Sequence, residues 1–206
     1  MAKTTIYNNK QEIIDEELNE IITNLGSSDL SQEENTFLIH NVEVKRVAKG
    51  SLLLKEGQII KASYYLFKGC VREYYLNDGE EKTVAFYTAG EAPADEGDKK
   101  NKIPSSVFWE CVSDCIISIL PYELEKEMYQ RFPRLESQCK TATENEFSNY
   151  KKNVNKYLAS SAEERYLALL KTKPEIFQLV PLYHIASYLG VKPESLSRIR
   201  NRMRLS

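Results

Sequence analysis

The sequence predicts an α+β chain in which a β-rich module precedes a long helix and a pair of short C-terminal helices. Short β-branched and aromatic runs broken by glycine fill residues 42–121. No glycine or proline interrupts residues 134–160, and Gly190 separates two short amphipathic segments. At 206 residues the chain is long enough for several such parts. The predicted parts are residues 1–121, 122–160 and 161–206.

The composition is typical of a globular protein, with 42% hydrophobic and 28% charged residues. It excludes wholesale disorder, and no apolar run approaches the ~20 residues that a membrane span needs. The N-terminus is polar, which predicts that there is no secretory signal. Four cysteines are too few for a disulfide framework in a chain of this size. We therefore expect reduced thiols and a cytoplasmic location without membrane contact.

The charges are unevenly distributed along the chain. Residues 151–206 hold 11 Lys and Arg against 4 Asp and Glu, a balance of +7, whereas residues 1–150 have a balance of −9. An acidic body with a basic module is typical of proteins that bind nucleic acid, although a division of this size also arises by chance.

Two helices are predicted before the β-rich module. Apolar residues recur at helical spacing from Ile13 to Leu25, and Gly26 follows as a stop signal. Ser31 and the glutamate three positions later form the pattern of a capping box, in which each side chain bonds to the other residue's backbone N–H. A short helix should therefore begin after Ser31 and reach Leu38.

Alternating polar and apolar residues, together with turn residues, define the β-rich module. Glycines follow the apolar runs every 10 to 12 residues, as in an all-β sandwich or barrel. Asp78-Gly79 is the strongest hairpin signal, because both residues tolerate positive φ. Two further strands are expected over 107–111 and 115–119, and Pro121 closes the module. The glycines that separate the runs are Gly57, Gly69, Gly79 and Gly90.

From Tyr122 the chain is predicted to be helical, and Pro133 divides this region into a short and a long helix. The long helix, from about Arg134 to Ser160, would extend roughly 40 Å. Its apolar residues form a narrow heptad-like seam, which favours contact between two chains; packing on the β-rich module of the same chain is the alternative. The seam residues are Leu135, Cys139, Ala142, Phe147, Tyr150, Val154 and Tyr157.

The C-terminal residues predict a helix-turn-helix. Ser161 and Glu164 form a second capping box, and the helix that they begin ends near Pro174. Two short helices then flank Gly190, which permits the positive φ of a tight turn, and Pro193 suits the first turn of the second helix. The residues expected to pack the two helices together are Ile185, Ala186, Leu189, Val191, Leu196 and Ile199.

The second of these helices has a polar face suited to the major groove of DNA. Arginine can bond bidentately to guanine, a carboxylate can accept from cytosine, and asparagine can bond to adenine. Serine and the terminal arginines suit phosphates, which position a protein without reading sequence. An ordinary helical hairpin with a solvated basic face is the alternative. The candidate DNA-binding residues are Lys192, Glu194, Ser195, Ser197, Arg198, Asn201 and Arg202.

The order of these elements and the segment IASYLGVKPESLSRI, residues 185–199, resemble the Crp/Fnr superfamily of bacterial transcription regulators over nearly the whole chain. The resemblance implies a double-stranded β-helix (jelly roll) of the cyclic-nucleotide-binding type, a dimerisation helix and a winged-helix-like DNA-binding module. It also implies a homodimer on a pseudo-palindromic operator in double-stranded DNA, with half-sites about 34 Å apart. RNA polymerase is a further partner that the resemblance suggests.

By the same resemblance, Glu194 and Arg198 would touch base edges and Ser195 a phosphate. The sequence ends six residues after Arg200, so the second wing hairpin of many members is expected to be absent. The segment SAEERYLALL, residues 161–170, is similar to the version common in the Bacteroidetes.

The resemblance also gives candidate effector residues. Members that bind cyclic nucleotides carry a Gly-Glu pair, whose Glu binds the ribose, and then an Arg-Ser-Ala type segment that holds the cyclic phosphate. The first is present here, but the second is replaced by Pro-Ser-Ser, and no arginine lies between Arg72 and Arg131. We therefore expect weak or no cyclic AMP binding and an effector that is unidentified or absent; the glutamate as a solvated loop residue is the alternative. The effector-binding candidates are Gly90, Glu91, Ser105 and Ser106.

No resident cofactor or metal is expected. An iron–sulfur cluster needs several closely placed cysteines. Cys111 and Cys115 flank a turn, but Cys70 and Cys139 are expected to lie far from them. A haem would need an axial ligand such as His40, and a lone histidine before a strand is usually structural.

Two other classes of function are weighed against DNA-binding regulation. A cupin-like enzyme would need clustered histidines, but His40 and His184 lie in different modules, so no catalytic residues are expected. The other class is a regulator that binds a ligand or a partner but no longer binds DNA. A salt-sensitive shift of duplex DNA would exclude it, because phosphate contacts release counterions.

Overall fold

The computed structural model describes residues 30–94 and 103–204 of the chain. The strands are β1 Glu43–Val47, β2 Leu52–Leu54, β3 Ala62–Lys68, β4 Cys70–Asn77, β5 Glu80–Thr88, β6 Phe108–Cys111 and β7 Cys115–Pro121. The helices are α1 Gln32–Asn41, α2 Tyr122–Arg131, α3 Pro133–Ala159, α4 Ala162–Thr172, α5 Ile176–Leu179, α6 Leu182–Tyr188 and α7 Pro193–Arg204. The helix predicted over residues 13–25 lies outside the described residues.

Helix α1 begins at the predicted capping box. Ser31 Oγ accepts from the Glu34 backbone N–H at 3.2 Å, and Glu34 Oε2 accepts from the Ser31 backbone N–H at 2.7 Å. The side chain of Arg134 in α3 donates to the same carboxylate and holds the pKa of Glu34 below its usual value. The helix continues to Asn41, beyond the predicted end at Leu38.

The seven described strands are all antiparallel and form two sheets, in the order β1-β7-β3 and β2-β6-β4-β5. Alternate side chains from each sheet fill the space between them, because successive residues of a strand point to opposite sides. Trp109, Leu66 and Ile117 in this space are almost fully buried. The two sheets confirm the predicted β-rich module.

Two tight turns depend on residues with positive φ. The β4–β5 hairpin turns at Asp78 and Gly79, with φ values of 52° and 81°, as the Asp-Gly signal predicts. Gly69, between β3 and β4, has a φ of 93°. A Cβ atom at Gly69 would lie 2.7 Å from Cys115 Sγ and 2.9 Å from Ser113 Oγ, so this glycine also permits a close approach of the β6–β7 turn.

Alanine at Gly69 is expected to destabilise the protein more than alanine at Gly90. The two residues have almost the same φ, 93° and 92°, which costs an L-residue about 1–2 kcal/mol. Only at Gly69 would the new Cβ also collide with the backbone oxygen of Asp114 and with the Cys115 sulfur, whereas the space around Gly90 is open. Overpacking adds roughly 1–3 kcal/mol. Urea unfolding measures both losses, and equal losses would contradict this explanation.

Helix α3 has two differently packed parts. Leu135, in its first turn, is buried among residues that include Phe37 and Phe132, because α1 covers this end of the helix. Leu135 therefore belongs to the core of its own chain, and its assignment to the seam was wrong. Further along, the Phe147 side chain is 62% exposed. The side chain of Tyr150, another predicted seam residue, lies outside the described part.

Candidate nucleic-acid interface

Helices α6 and α7 form a closely packed helix-turn-helix. Ile185 and Ala186 have no exposed surface, and Leu196 and Ile199 from α7 are buried in the same cluster. The turn passes through Gly190, whose φ is 68°. These residues pack as the sequence predicts, and the small alanine permits the close approach of the two helices. One side of α7 is therefore buried against α6, and the opposite side is exposed.

The candidate DNA-binding residues lie at the start of α7 and on its exposed side. The Lys192 carbonyl oxygen accepts from the backbone N–H groups of Ser195 and Leu196, at 3.0 and 3.1 Å, and so begins the helix. Ser195 is half-buried. The exposed candidates are Lys192, Glu194, Ser197, Arg198, Asn201 and Arg202.

Two of the arginines on this face have partners within the chain. Arg202 Nη2 donates to Glu163 Oε2 of α4 at 2.8 Å, and Arg198 Nε donates to the Glu194 carbonyl oxygen at 3.4 Å. Both members of the Arg202–Glu163 pair are exposed to solvent, so the pair contributes little stability and can be exchanged for a phosphate contact.

The helix-turn-helix lies against the outer side of the sheet β2-β6-β4-β5. Arg72 of β4 is almost fully buried and donates to His184 Nδ1 of α6. Arg72 Nη2 also pairs with Glu81 at 2.5 Å and with Glu110 at 2.9 Å. The Arg72 guanidinium carbon lies 4.0 Å from the centre of the Tyr74 ring. The sequence does not predict this contact, because an arginine in an alternating strand is expected to face solvent.

Further contacts along α6 extend the surface on which the helix-turn-helix packs against the sheet, which we call the docking surface. Ser187 Oγ accepts from the Thr83 backbone N–H at 3.0 Å and donates to the Glu81 carbonyl oxygen at 3.3 Å. The rings of Tyr188 and Phe86 pack with their centroids 5.3 Å apart. The strand-side residues that share one apolar cluster with the helix-turn-helix are Cys70, Phe86 and Val112.

Stability is expected to fall as the pH drops from 6.5 toward 4. Burial, and then the adjacent Arg72 guanidinium, lower the pKa of His184 to about 4, while Lys49 acts in the same direction and Glu81 opposes them. An unfolded chain, with an ordinary histidine pKa near 6.5, binds more protons than the folded chain between these values. In His184→Asn the amide oxygen can accept from Arg72 but does not titrate. Urea unfolding at a series of pH values should then show a smaller slope between pH 6.5 and 5; an unchanged slope would contradict the assignment to His184.

Glu91, which the resemblance places at the position of a ribose-binding glutamate, is engaged within the chain. Glu91 Oε2 accepts from Lys173 Nζ at 2.6 Å and from the Thr88 backbone N–H at 2.7 Å. The same lysine donates to the Phe86 carbonyl oxygen at 2.7 Å. Because Lys173 follows α4, this ion pair connects the β-rich module with the C-terminal helices. The lysine–glutamate contact has no signal in the sequence that could have identified it.

The other effector candidates lie at the two ends of the connection between β5 and β6. Gly90 donates its N–H to the Leu66 carbonyl oxygen at 2.8 Å, next to Glu91. Ser105 is buried, and its hydroxyl bonds to the backbone of Val107, while Ser106 is exposed.

A carboxylate lies in the space between the two sheets. Glu73 Oε2 accepts from Trp109 Nε1 at 2.8 Å and from the Tyr87 hydroxyl at 3.1 Å. The Tyr64 ring packs edge-on to Trp109, with centroids 5.8 Å apart. Burial and the nearby Glu73 charge raise the pKa of Tyr87. The space therefore contains a negative charge and large side chains, which oppose an anionic ligand.

Cys70 lies beside Cys111 and Cys115, so the prediction that it would be remote was wrong. Strand β4 pairs with β6, which places Val71 opposite Cys111, and Cys115 Sγ lies 3.5 Å from the Cys70 carbonyl oxygen. All three thiols are free and buried, and burial raises the pKa of Cys70 to about 12. Among the described residues, no three His, Cys, Asp or Glu side chains are arranged to hold a metal ion.

Comparisons with known proteins agree with this architecture. No protein-family model matches the chain. The fumarate and nitrate reduction regulatory protein of Vibrio cholerae is 25% identical over 190 residues, which cover 86% of this chain and 75% of that protein. The protein of the same name from Escherichia coli K12 is 24% identical over 190 residues, with the same coverage. The chain is a DNA-binding transcriptional regulator, and it is similar to regulators of the Crp/Fnr type.

Solved structures show the same fold for this regulator. FixK2 from Bradyrhizobium japonicum superposes with a TM-score of 0.64 and 18% identity, covering 80% of this chain and 85% of that one. A Crp/Fnr-family protein from Eubacterium rectale also gives a TM-score of 0.64, with 17% identity, over 86% of this chain and 85% of that one. Within the described ranges, the regulator has no helix with the length and apolar character needed to cross a membrane.

Proposed function

We propose that this regulator binds double-stranded DNA as a homodimer, with α7 of each chain in the major groove of one half-site. One observation supports it most directly: a fully packed helix-turn-helix presents a helix whose exposed side is polar and basic. Helix α7 contains four arginines against one glutamate. We assign base contacts to Glu194 and Arg198, and phosphate contacts to Ser195 and Arg202. The proposed operator is pseudo-palindromic, because a two-fold dimer presents two identical helices.

The proposed dimer contact lies along α3. Phe147 is 62% exposed in the middle of a helix of 27 residues, and Val154 follows it by one heptad. An apolar ring at this spacing favours contact with the same helix of a second chain, which would remove the ring from water. A DNA partner also implies a cytoplasmic location. RNA polymerase is proposed as a further partner, because it would bind at the same promoter.

The proposed regulator does not require cyclic AMP. Glu91 is paired with Lys173, so a ribose at this carboxylate would have to break an ion pair. Glu73 places a negative charge between the sheets, and the residues between Arg72 and Arg131 include no arginine that could neutralise a cyclic phosphate. We further propose that the protein is not an enzyme, since the residues that it presents are those of a DNA-binding surface.

Selection from a random duplex library by the purified protein, with and without cyclic AMP, tests this proposal. Enrichment of a two-fold-symmetric site without nucleotide is the expected result. Affinity for that site should fall steeply with salt, because phosphate contacts release counterions. Enrichment only with cyclic AMP would contradict the proposal that Glu91 and Glu73 oppose binding of this nucleotide. Failure under both conditions would favour a regulator that binds a partner but not DNA.

Calorimetric titration with cyclic AMP separates the Lys173–Glu91 ion pair from the other two obstacles to nucleotide binding, which are the Glu73 charge and the missing arginine. In Lys173→Met the Glu91 carboxylate loses its ion pair, but the missing arginine is not restored. We expect no binding heat for the wild type or for this variant. Binding by the variant alone would show that Lys173 is the main obstacle.

A further inference from the structure

Two side chains connect the end of the long helix to the turn of the helix-turn-helix. The Tyr157 hydroxyl, in the last turn of α3, donates to the Tyr188 carbonyl oxygen at 2.7 Å. Arg165 of α4 donates through Nη2 to the Leu189 carbonyl oxygen at 2.9 Å, and through Nη1 to the Ser160 carbonyl oxygen at 2.8 Å. The Arg165 guanidinium carbon lies 4.8 Å from the centre of the Tyr157 ring. We call Tyr157 and Arg165 the hinge pair.

The acceptors on the helix-turn-helix side are the carbonyl groups at the C-terminal end of α6. Such carbonyls lack partners within their own helix and carry the negative end of its dipole, so a guanidinium is well suited to this position. The turn at Gly190 follows directly, and α7 begins at Pro193. The hinge pair therefore holds the segment that sets the direction of α7.

The backbone alone holds α3 and α4 together only weakly. Ser160 is extended, with φ of −91° and ψ of 144°, and Ser161 begins α4. Extended residues between helices are places where rotation needs only a change of one or two dihedral angles. Of the contacts at this junction, those of Tyr157 and Arg165 join the end of α3, the extended residue and the end of α6.

We propose that Tyr157 and Arg165 are positioning residues that fix α7 relative to α3 and so set the half-site separation that the dimer accepts. This inference rests on the proposed function, since it needs two copies of α7 on one operator. The hinge pair does not touch DNA. It affects DNA binding through the position of α7, which determines whether the second chain of the dimer can reach its half-site.

Half-site separation is sensitive to such positioning. Adding one base pair between half-sites moves the second one by roughly 3.4 Å and rotates it by roughly 35°. Two linked binding modules gain affinity only when their link matches the span between their sites. A rigid link therefore gives a narrow preference, whereas a loosened link gives a broad one with a lower maximum.

The test measures affinity of the full-length dimer for the selected operator and for versions with one or two base pairs added or removed at the centre. We expect the wild type to lose at least about tenfold in affinity for a change of one base pair. Tyr157→Phe removes one hydroxyl, and Arg165→Met removes the guanidinium. Each should bind the best operator more weakly but lose less than about threefold for the same change. Lys171→Met, which removes a positive charge from the same helix, should keep the wild-type profile.

The outcomes are distinguishable. A variant whose affinity falls by the same factor at every separation, or does not change, would overturn the positioning role, because a general loss of stability gives no change of profile. A wild type that binds all separations equally would also overturn it. If Arg165→Met fails to fold, Tyr157→Phe still decides the question. A wild type that binds no duplex would overturn the proposed function itself, before any variant is compared.

Discussion

Replacing Arg198 by alanine is expected to weaken binding to the selected operator by roughly 5- to 150-fold, the value of about 1–3 kcal/mol for one bidentate base contact. Arg198 is exposed on α7, one turn after Glu194, and its Nε atom is anchored at 3.4 Å from that residue's carbonyl oxygen. The side chain therefore lies on the exposed face of the helix that we place in the groove.

The matched measurement uses a duplex of unrelated sequence. If Arg198 contacts a base, its loss should weaken operator binding much more than binding to the unrelated duplex, and selectivity at one base position should relax. Lys126→Ala removes an exposed positive charge from α2, far along the chain, and should leave operator affinity unchanged. Equal losses by Arg198→Ala on both duplexes would indicate a phosphate contact and contradict the assignment.

Replacing Arg72 by methionine is expected to lower the free energy of unfolding by about 2–4 kcal/mol and to release the helix-turn-helix from the sheet. Arg72 is 1% exposed and bonds to His184, Glu81 and Glu110. Its removal leaves carboxylates without their cation and a buried imidazole without its donor. The two glutamates are partly exposed, which places the expected loss below that of a fully buried pair.

Urea unfolding and hydrogen exchange measure the two consequences of the Arg72 change separately. The Thr83 amide, which donates to Ser187 Oγ across the docking surface, should exchange faster in Arg72→Met. Lys82→Met is the matched control, because Lys82 also pairs with a glutamate of the same hairpin but its side chain is much more exposed than that of Arg72. It should leave unfolding and Thr83 exchange unchanged. Identical behaviour of the two variants would show that the buried arginine does not hold the docking surface.

Features that depend on neighbours in sequence could be predicted. The capping boxes at Ser31 and Ser161, the Asp78-Gly79 hairpin and the turn at Gly190 are each determined by a few adjacent residues with restricted hydrogen bonding or φ. The packing of the helix-turn-helix could be predicted for the same reason, since the apolar residues of two adjacent short helices can pack together in few arrangements.

Features that depend on residues far apart could not be predicted. Arg72 and His184 are 112 positions apart, and no sequence pattern around either residue indicates that the other is its partner. The proximity of Cys70 and Cys111 depends on which strands pair, which is decided by the whole sheet rather than by local sequence. The same limit explains why Leu135 was assigned to an intermolecular seam, because the apolar period of a helix does not say which partner covers it.

The apolar cluster shared by the strands and the helix-turn-helix has a thermodynamic consequence. Phe86 of β5 is buried together with Ile185 and Leu189, so neither module keeps its full core when the other unfolds. The chain should therefore melt as one cooperative unit, with equal calorimetric and van't Hoff enthalpies. Operator DNA that binds only the folded helix-turn-helix should then raise the melting temperature of the distant β-strands as well, although it never touches them.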